Sequence, residues 1–95
     1  MNAKKEKKGS KLNRFLDIPE EVGGNVPKIT IVGFDELLIE NYKGIFEYEE
    51  FFIKINTGVG VININGINLN LEAITQDDIL VRGKIDCIDV ERTVD

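Results

Sequence analysis

Four adjacent acid pairs are the first places where this chain could do chemistry: Glu20–Glu21, Asp35–Glu36, Glu49–Glu50 and Asp77–Asp78. Paired carboxylates can serve as general acid and base, or bind a hard cation. Each pair falls in a stretch that reads as a turn, and none has a further acid at metal-loop spacing. The Asp77-Asp78 segment lacks the alternating oxygen ligands and the glycine of an EF-hand. Solvated turns are the expected role. Gly58-Val59-Gly60 matches the start of a dinucleotide fingerprint. No helix comes after it to aim a dipole at a phosphate, so the glycines are expected to mark a bulge or a close backbone approach. Cys87 is the one cysteine and there is no histidine. An internal disulfide, Ser–His and Cys–His nucleophiles and the common zinc sites are excluded. Cys87 alternates with Ile85 and is expected to face the core as a small hydrophobe. The expectation is no catalytic residue, no metal site and no cofactor.

Two clusters remain as candidate contact surfaces. Asn56, Asn63, Asn65, Asn68 and Asn70 crowd fifteen residues. They read either as turn formers and polar-face fillers or as a weakly charged ladder beside an open sheet edge. Phe46, Tyr48, Phe51 and Phe52 form an aromatic cluster. Consecutive strand residues point to opposite faces, so Phe51 and Phe52 cannot both enter a one-sided core. One of the two is expected to be covered by an N-terminal helix or left as a contact site.

The elements that must position these residues belong to a single small domain. The chain has 95 residues, 42% of them apolar and 31% charged. A domain of this size buries only about 60 to 65% of its unfolded surface and has a thin stability margin. The charge is uneven. The first fifteen residues hold six basic groups against Glu6, whereas the remaining eighty hold six basic and sixteen acidic ones. Such a basic arm reads as a solvated terminus, or as a tail that meets nucleic acid or anionic lipid. No apolar run succeeds it, so neither a signal peptide nor a membrane-spanning helix is expected.

Ser10 can cap a short helix over 10–18. Leu12, Phe15 and Leu16 then fall at i, i+3 and i+4 on one apolar stripe. Pro19 ends it, and Gly23-Gly24-Asn25 separates it from the extended part of the chain. From Lys28 the period is two. Extended runs are expected at 28–32, 37–42, 45–48, 51–56, 58–64, 67–72 and 79–90. Turns are expected at Asn41-Tyr42-Lys43-Gly44, Asn56-Thr57-Gly58, Asn65-Gly66 and Thr75-Gln76-Asp77-Asp78. A phase slip between Val61 and Ile62 suggests a bulge or a two-sided strand.

The expected fold is all-β: a small sandwich or roll of about seven or eight short, mostly antiparallel strands with a short N-terminal amphipathic helix. A short β-solenoid is the alternative. In outline, residues 1–9 are a basic disordered arm, 10–27 a short helix and linker, 28–90 the β-domain, and 91–95 a frayed tail. Ile53, Ile67, Leu69, Leu71, Val81 and Ile85 should share one inner face.

The residues also carry a likeness. Leu16-Asp17-Ile18-Pro19-Glu20-Glu21-Val22 and Val26-Pro27-Lys28-Ile29-Thr30-Ile31-Val32-Gly33 resemble the opening of YqfC-type sporulation proteins, as does Leu38-Ile39-Glu40-Asn41-Tyr42-Lys43-Gly44-Ile45. Gly66-Ile67-Asn68-Leu69-Asn70-Leu71 and Asp78-Ile79-Leu80-Val81-Arg82-Gly83-Lys84-Ile85 are similar to the wider YabP/YqfC family. The resemblance covers about residues 12–90, and Glu40-Asn41-Tyr42-Lys43-Gly44 is its most distinctive piece. It implies a small non-enzymatic protein of the mother cell of an endospore former, cytoplasmic or peripheral at the forespore membrane. It would act by protein contacts at the spore envelope, with a membrane-associated sporulation protein as partner.

The residues offered for such contacts are Leu12, Phe15, Leu16, Phe46, Tyr48 and Phe52. A homo-oligomer and a weak contact of the arm with anionic membrane are the other associations considered. The alternative function is a nucleic-acid-binding barrel of OB or cold-shock type, which wants exposed aromatics on a basic face. Here Glu47, Glu49 and Glu50 flank the aromatics and would repel phosphate, so nucleic acid is not the expected partner.

Overall fold

The computed structural model describes residues 26–93. The expected helix over 10–18, with Leu12, Phe15 and Leu16, lies outside them. Six strands form one antiparallel sheet: β1 (Lys28–Val32), β2 (Glu36–Glu40), β3 (Tyr42–Glu49), β4 (Phe52–Thr57), β5 (Gly60–Ile74) and β6 (Asp78–Arg92). Their order across the sheet is β1-β2-β6-β5-β4-β3. Every pairing is antiparallel. That rules out the solenoid, and one open sheet replaces the two layers of a sandwich.

The seven or eight short strands become six because β5 and β6 are each fifteen residues long. Asn65-Gly66 does not turn the chain. Its residues pair with Cys87 and Ile85, so β5 runs straight through. A Cβ on Gly66 would run into the Lys84 carbonyl oxygen, so this glycine permits a close backbone approach. The turn that does form is at Thr75–Asp78. The Asp78 carbonyl accepts from the Thr75 N–H at 2.8 Å, and the Thr75 hydroxyl accepts from the N–H groups of Asp77 and Asp78. That side-chain turn has more partners than an Asn-Gly pair can recruit. Asn41 alone, at φ 66°, joins β2 to β3, and Tyr42 and Gly44 lie in β3 rather than in a four-residue turn. β6 continues to Arg92, and the Thr93 N–H donates to the Val59 carbonyl at 3.1 Å.

The middle of the β5–β6 hairpin carries two register shifts, between Asn65 and Gly66 and between Ile67 and Asn70. Each inserts a residue, bends the strand and reverses which face the next side chain meets. The bend folds the hairpin back on itself. The N–H groups of Asn41 and Tyr42 both donate to the Asp77 carbonyl at its closed end, at 2.7 and 3.2 Å. Tyr42 also pairs with Thr57, beside its open end. The sheet therefore coils around its apolar face.

That face is Leu37 and Ile39 of β2, Ile53 and Ile55 of β4, Ile62, Ile64 and Leu69 of β5, and Ile79 and Val81 of β6, all buried. Ile29, Tyr42, Leu71, Ile85 and Ile88 pack around it. Of the six positions expected on one inner face, Ile67 is the exception: it is 53% exposed. Ile67 points outward by ordinary alternation from the buried Ile62 and Ile64, and Asn68, at φ 55°, is the inserted residue that brings Leu69 inward. The same mechanism exposes Cys87. Asn65 pairs with Cys87 and Gly66 with Ile85, so Asp86 is the extra residue and the phase flips. Ile88, opposite Ile64, takes the core position instead.

Candidate interaction surface

The β3–β4 hairpin holds all four residues of the aromatic cluster. Glu49 pairs with Phe52, leaving Glu50 and Phe51 as the two residues of its turn. The register shift between Ile45 and Glu47 makes Phe46 the extra residue of a bulge. Tyr48 lies opposite the buried Ile53.

The tip of this hairpin is fastened to β5. The Glu50 carbonyl accepts from the Leu69 N–H at 2.7 Å and the Phe51 carbonyl from the Gly66 N–H at 3.1 Å. The Tyr48 hydroxyl accepts from the Leu71 N–H at 3.2 Å. The backbone is thereby held in place while three aromatic side chains stay in solvent: Phe46 at 58%, Tyr48 at 51% and Phe51 at 64% exposure. Phe52 is half-buried, so Phe51 is the exposed member of the consecutive pair. Exposed aromatic rings on a held backbone are the side chains that anchor protein interfaces, because they bury much area at small entropic cost. Glu47, Glu49 and Glu50 surround them, with Lys54 opposite Glu47. A partner fitting this end of the molecule needs an apolar pocket with a basic rim.

Phe34 is a further exposed aromatic, one that strand periodicity does not single out. Gly33 and Phe34 have φ of 59° and 65°, the both-positive pattern of a type I′ turn, and the Asp35 N–H donates to the Val32 carbonyl. A phenylalanine is unfavourable in this conformation, and this one is the most exposed large hydrophobic residue described, at 75%. The strain is held by β6: the Ile85 N–H donates to the Phe34 carbonyl at 3.0 Å and the Gly83 N–H to the Asp35 carbonyl at 3.1 Å. The signal was present as a Gly-Phe-Asp step after a β-branched run. Phe34→Asn is expected to stabilise the fold by about 1 kcal/mol, since asparagine tolerates positive φ. A urea titration checks this, and an unchanged or lower midpoint would mean that the Phe34 ring is packed.

The asparagine ladder does not form as one flat surface. Asn63 is buried, with its amide nitrogen donating to Asp89 at 2.9 Å and Glu91 at 2.7 Å. Asn68 occupies the bulge. The acid pairs of the described residues lie at turns or strand ends: Asp35–Glu36, Glu49–Glu50 and Asp77–Asp78. Glu36 forms an ion pair with Arg82, which also meets Glu72 at 3.3 Å. Among the described residues no group of three or more acidic or cysteine side chains gathers at metal-binding range. Gly58 and Val59 form the bend between β4 and β5, and Gly60 starts β5.

The YabP family model matches residues 24–93, which takes in all six strands. The chain is 33% identical over 88 residues to the uncharacterized protein YqfC of Bacillus subtilis (strain 168). The match covers 93% of this chain and 95% of that protein. No solved structure matches the chain.

Proposed function

This chain belongs to the YabP family, and on that footing we propose that it is a non-enzymatic sporulation protein of the mother cell that works by protein contact at the developing spore envelope. The observation that carries the contact role is the end of the β3–β4 hairpin, where Phe46, Tyr48 and Phe51 stand in solvent on a backbone tied to β5. The link to sporulation rests on the family resemblance. The non-enzymatic reading rests on the residues: a chain without histidine, whose described acid pairs sit at turns or strand ends, has few groups for acid–base or nucleophilic work. The acidic rim argues for a basic protein partner over nucleic acid, since the phosphate backbone would be repelled; that the partner is membrane-associated is what the family resemblance implies.

The test is capture of partners by the tagged full chain in a sporulating endospore former. The wild-type chain should retain a membrane-associated protein. Phe46→Ser with Phe51→Ser should fold with an unchanged thermal midpoint and lose that protein, because truncating an anchor costs at least about 2 kcal/mol, roughly thirty-fold in affinity. Retention of the same partner by the double variant would move the contact away from the hairpin. An empty capture from the membrane fraction would remove the partner role itself.

A further inference from the structure

Among the described residues the core is uncovered at one end. Along β6, the residues on the core face run Ile79, Val81, Ile85 and Ile88, each buried or half-buried, and then Val90. Val90 pairs with the buried Ile62 across β5, yet it is 61% exposed. Val59, in the bend before β5, is exposed beside it. Together with Pro27, Ile29 and Ile62 they line a groove of about 350 Å³ at the open end of the β5–β6 hairpin.

The described chain begins on the rim of this groove. Pro27 and Ile29 line it, and the Val26 carbonyl is fixed by the Asn41 side-chain amide at 3.0 Å. Twenty-five residues precede Val26 and join the fold at that point. They include the stripe of Leu12, Phe15 and Leu16 at helical spacing, and after it Ile18 and Val22. We propose that residues 10–22 dock in cis on this groove, placing Leu12, Phe15 and Leu16 over Val59, Ile62 and Val90 and completing the core.

Two physical arguments select this occupant. A helix of about eight residues is unstable in water and needs a surface to bury its stripe. Nine residues separate Leu16 from Val26, about ten Cα–Cα steps with a reach of up to about 35 Å when extended. Such a tether holds the segment near the groove at an effective concentration on the order of millimolar, which an untethered second copy does not match.

Hydrogen–deuterium exchange on the full chain tests this, read at the amides of Val59–Ile62 and Val90–Thr93. Leu12→Asp with Phe15→Asp should raise exchange there by about tenfold and lower the thermal midpoint by about 5 to 10 °C. Val90→Asp should do the same from the groove side, and Val59→Asp serves if that variant does not fold. Combining the two sides should add little to either alone, because both remove one contact. Additive effects, or unchanged exchange at the groove, would overturn the proposal. So would protection that grows with protein concentration, which would assign the groove to a second copy. Loss of binding to phosphatidylglycerol vesicles with groove exchange unchanged would assign the stripe to the membrane instead.

Discussion

Gly83→Ala should cost about 2 to 4 kcal/mol, most of the margin of a domain this small. Gly83 has φ 140°, a conformation that side chains rarely adopt. A Cβ there would stand 2.6 Å from the Asn68 carbonyl oxygen and 2.9 Å from the Leu69 Cα. Both obstacles are backbone, and neither can retreat without undoing the bulge that seats Leu69. The Gly83 N–H also holds the β1–β2 turn through Asp35, so the shift would spread to the neighbouring hairpin. Urea denaturation of the alanine variant measures the cost. A loss under about 0.5 kcal/mol, the size of an ordinary surface substitution, would mean that β5 and β6 pair there without the bulge.

Leu69→Ala and Ile67→Ala are expected to differ sharply although the two aliphatic residues lie two apart on one strand. Leu69 is 1% exposed, so its truncation should cost about 2 to 5 kcal/mol. Ile67 faces solvent, and its truncation should stay within about 0.5 kcal/mol. A regular strand would place both on the same face and give both the same cost. Asn68→Gly should be close to neutral, because glycine accepts the φ of 55° without strain, whereas Asn68→Ala should lose about 1 kcal/mol. Midpoints of the four variants in urea decide the matter. Equal losses at Leu69 and Ile67 would restore the regular strand.

The Gly83 and Leu69 variants probe the region where local pattern stops being informative. Period-two alternation located β1, β2 and β4 closely, since a strand with one buried face must alternate. It also identified Ile53, Leu69 and Val81 as core. It could not register the inserted residues Asn68 and Asp86, which change no composition and reverse the phase, and so it misplaced Ile67 and Cys87. Asn65-Gly66 has strong turn chemistry, but pairing to β6 on both sides holds it extended. The exposed aromatics of the hairpin were legible as a cluster, because consecutive phenylalanines cannot share a face. Which of Phe51 and Phe52 is exposed depended on where the two-residue turn falls.

By itself, the sequence determined an antiparallel all-β domain, the family to which the chain belongs, a basic arm on an acidic body, and a chemistry without histidine or a disulfide. The family comes from a resemblance of motifs; the rest come from residue types and short-range periodicity, which the chain carries whatever its partners in space. Tertiary structure alone decided that the strands make one coiled sheet, that Phe34 is held in a strained turn by β6, and that the described residues leave the core open beside Val90. Each of those depends on hydrogen bonds or contacts between residues far apart in the chain. Their register is set by bulges whose position only the assembled ladder reveals.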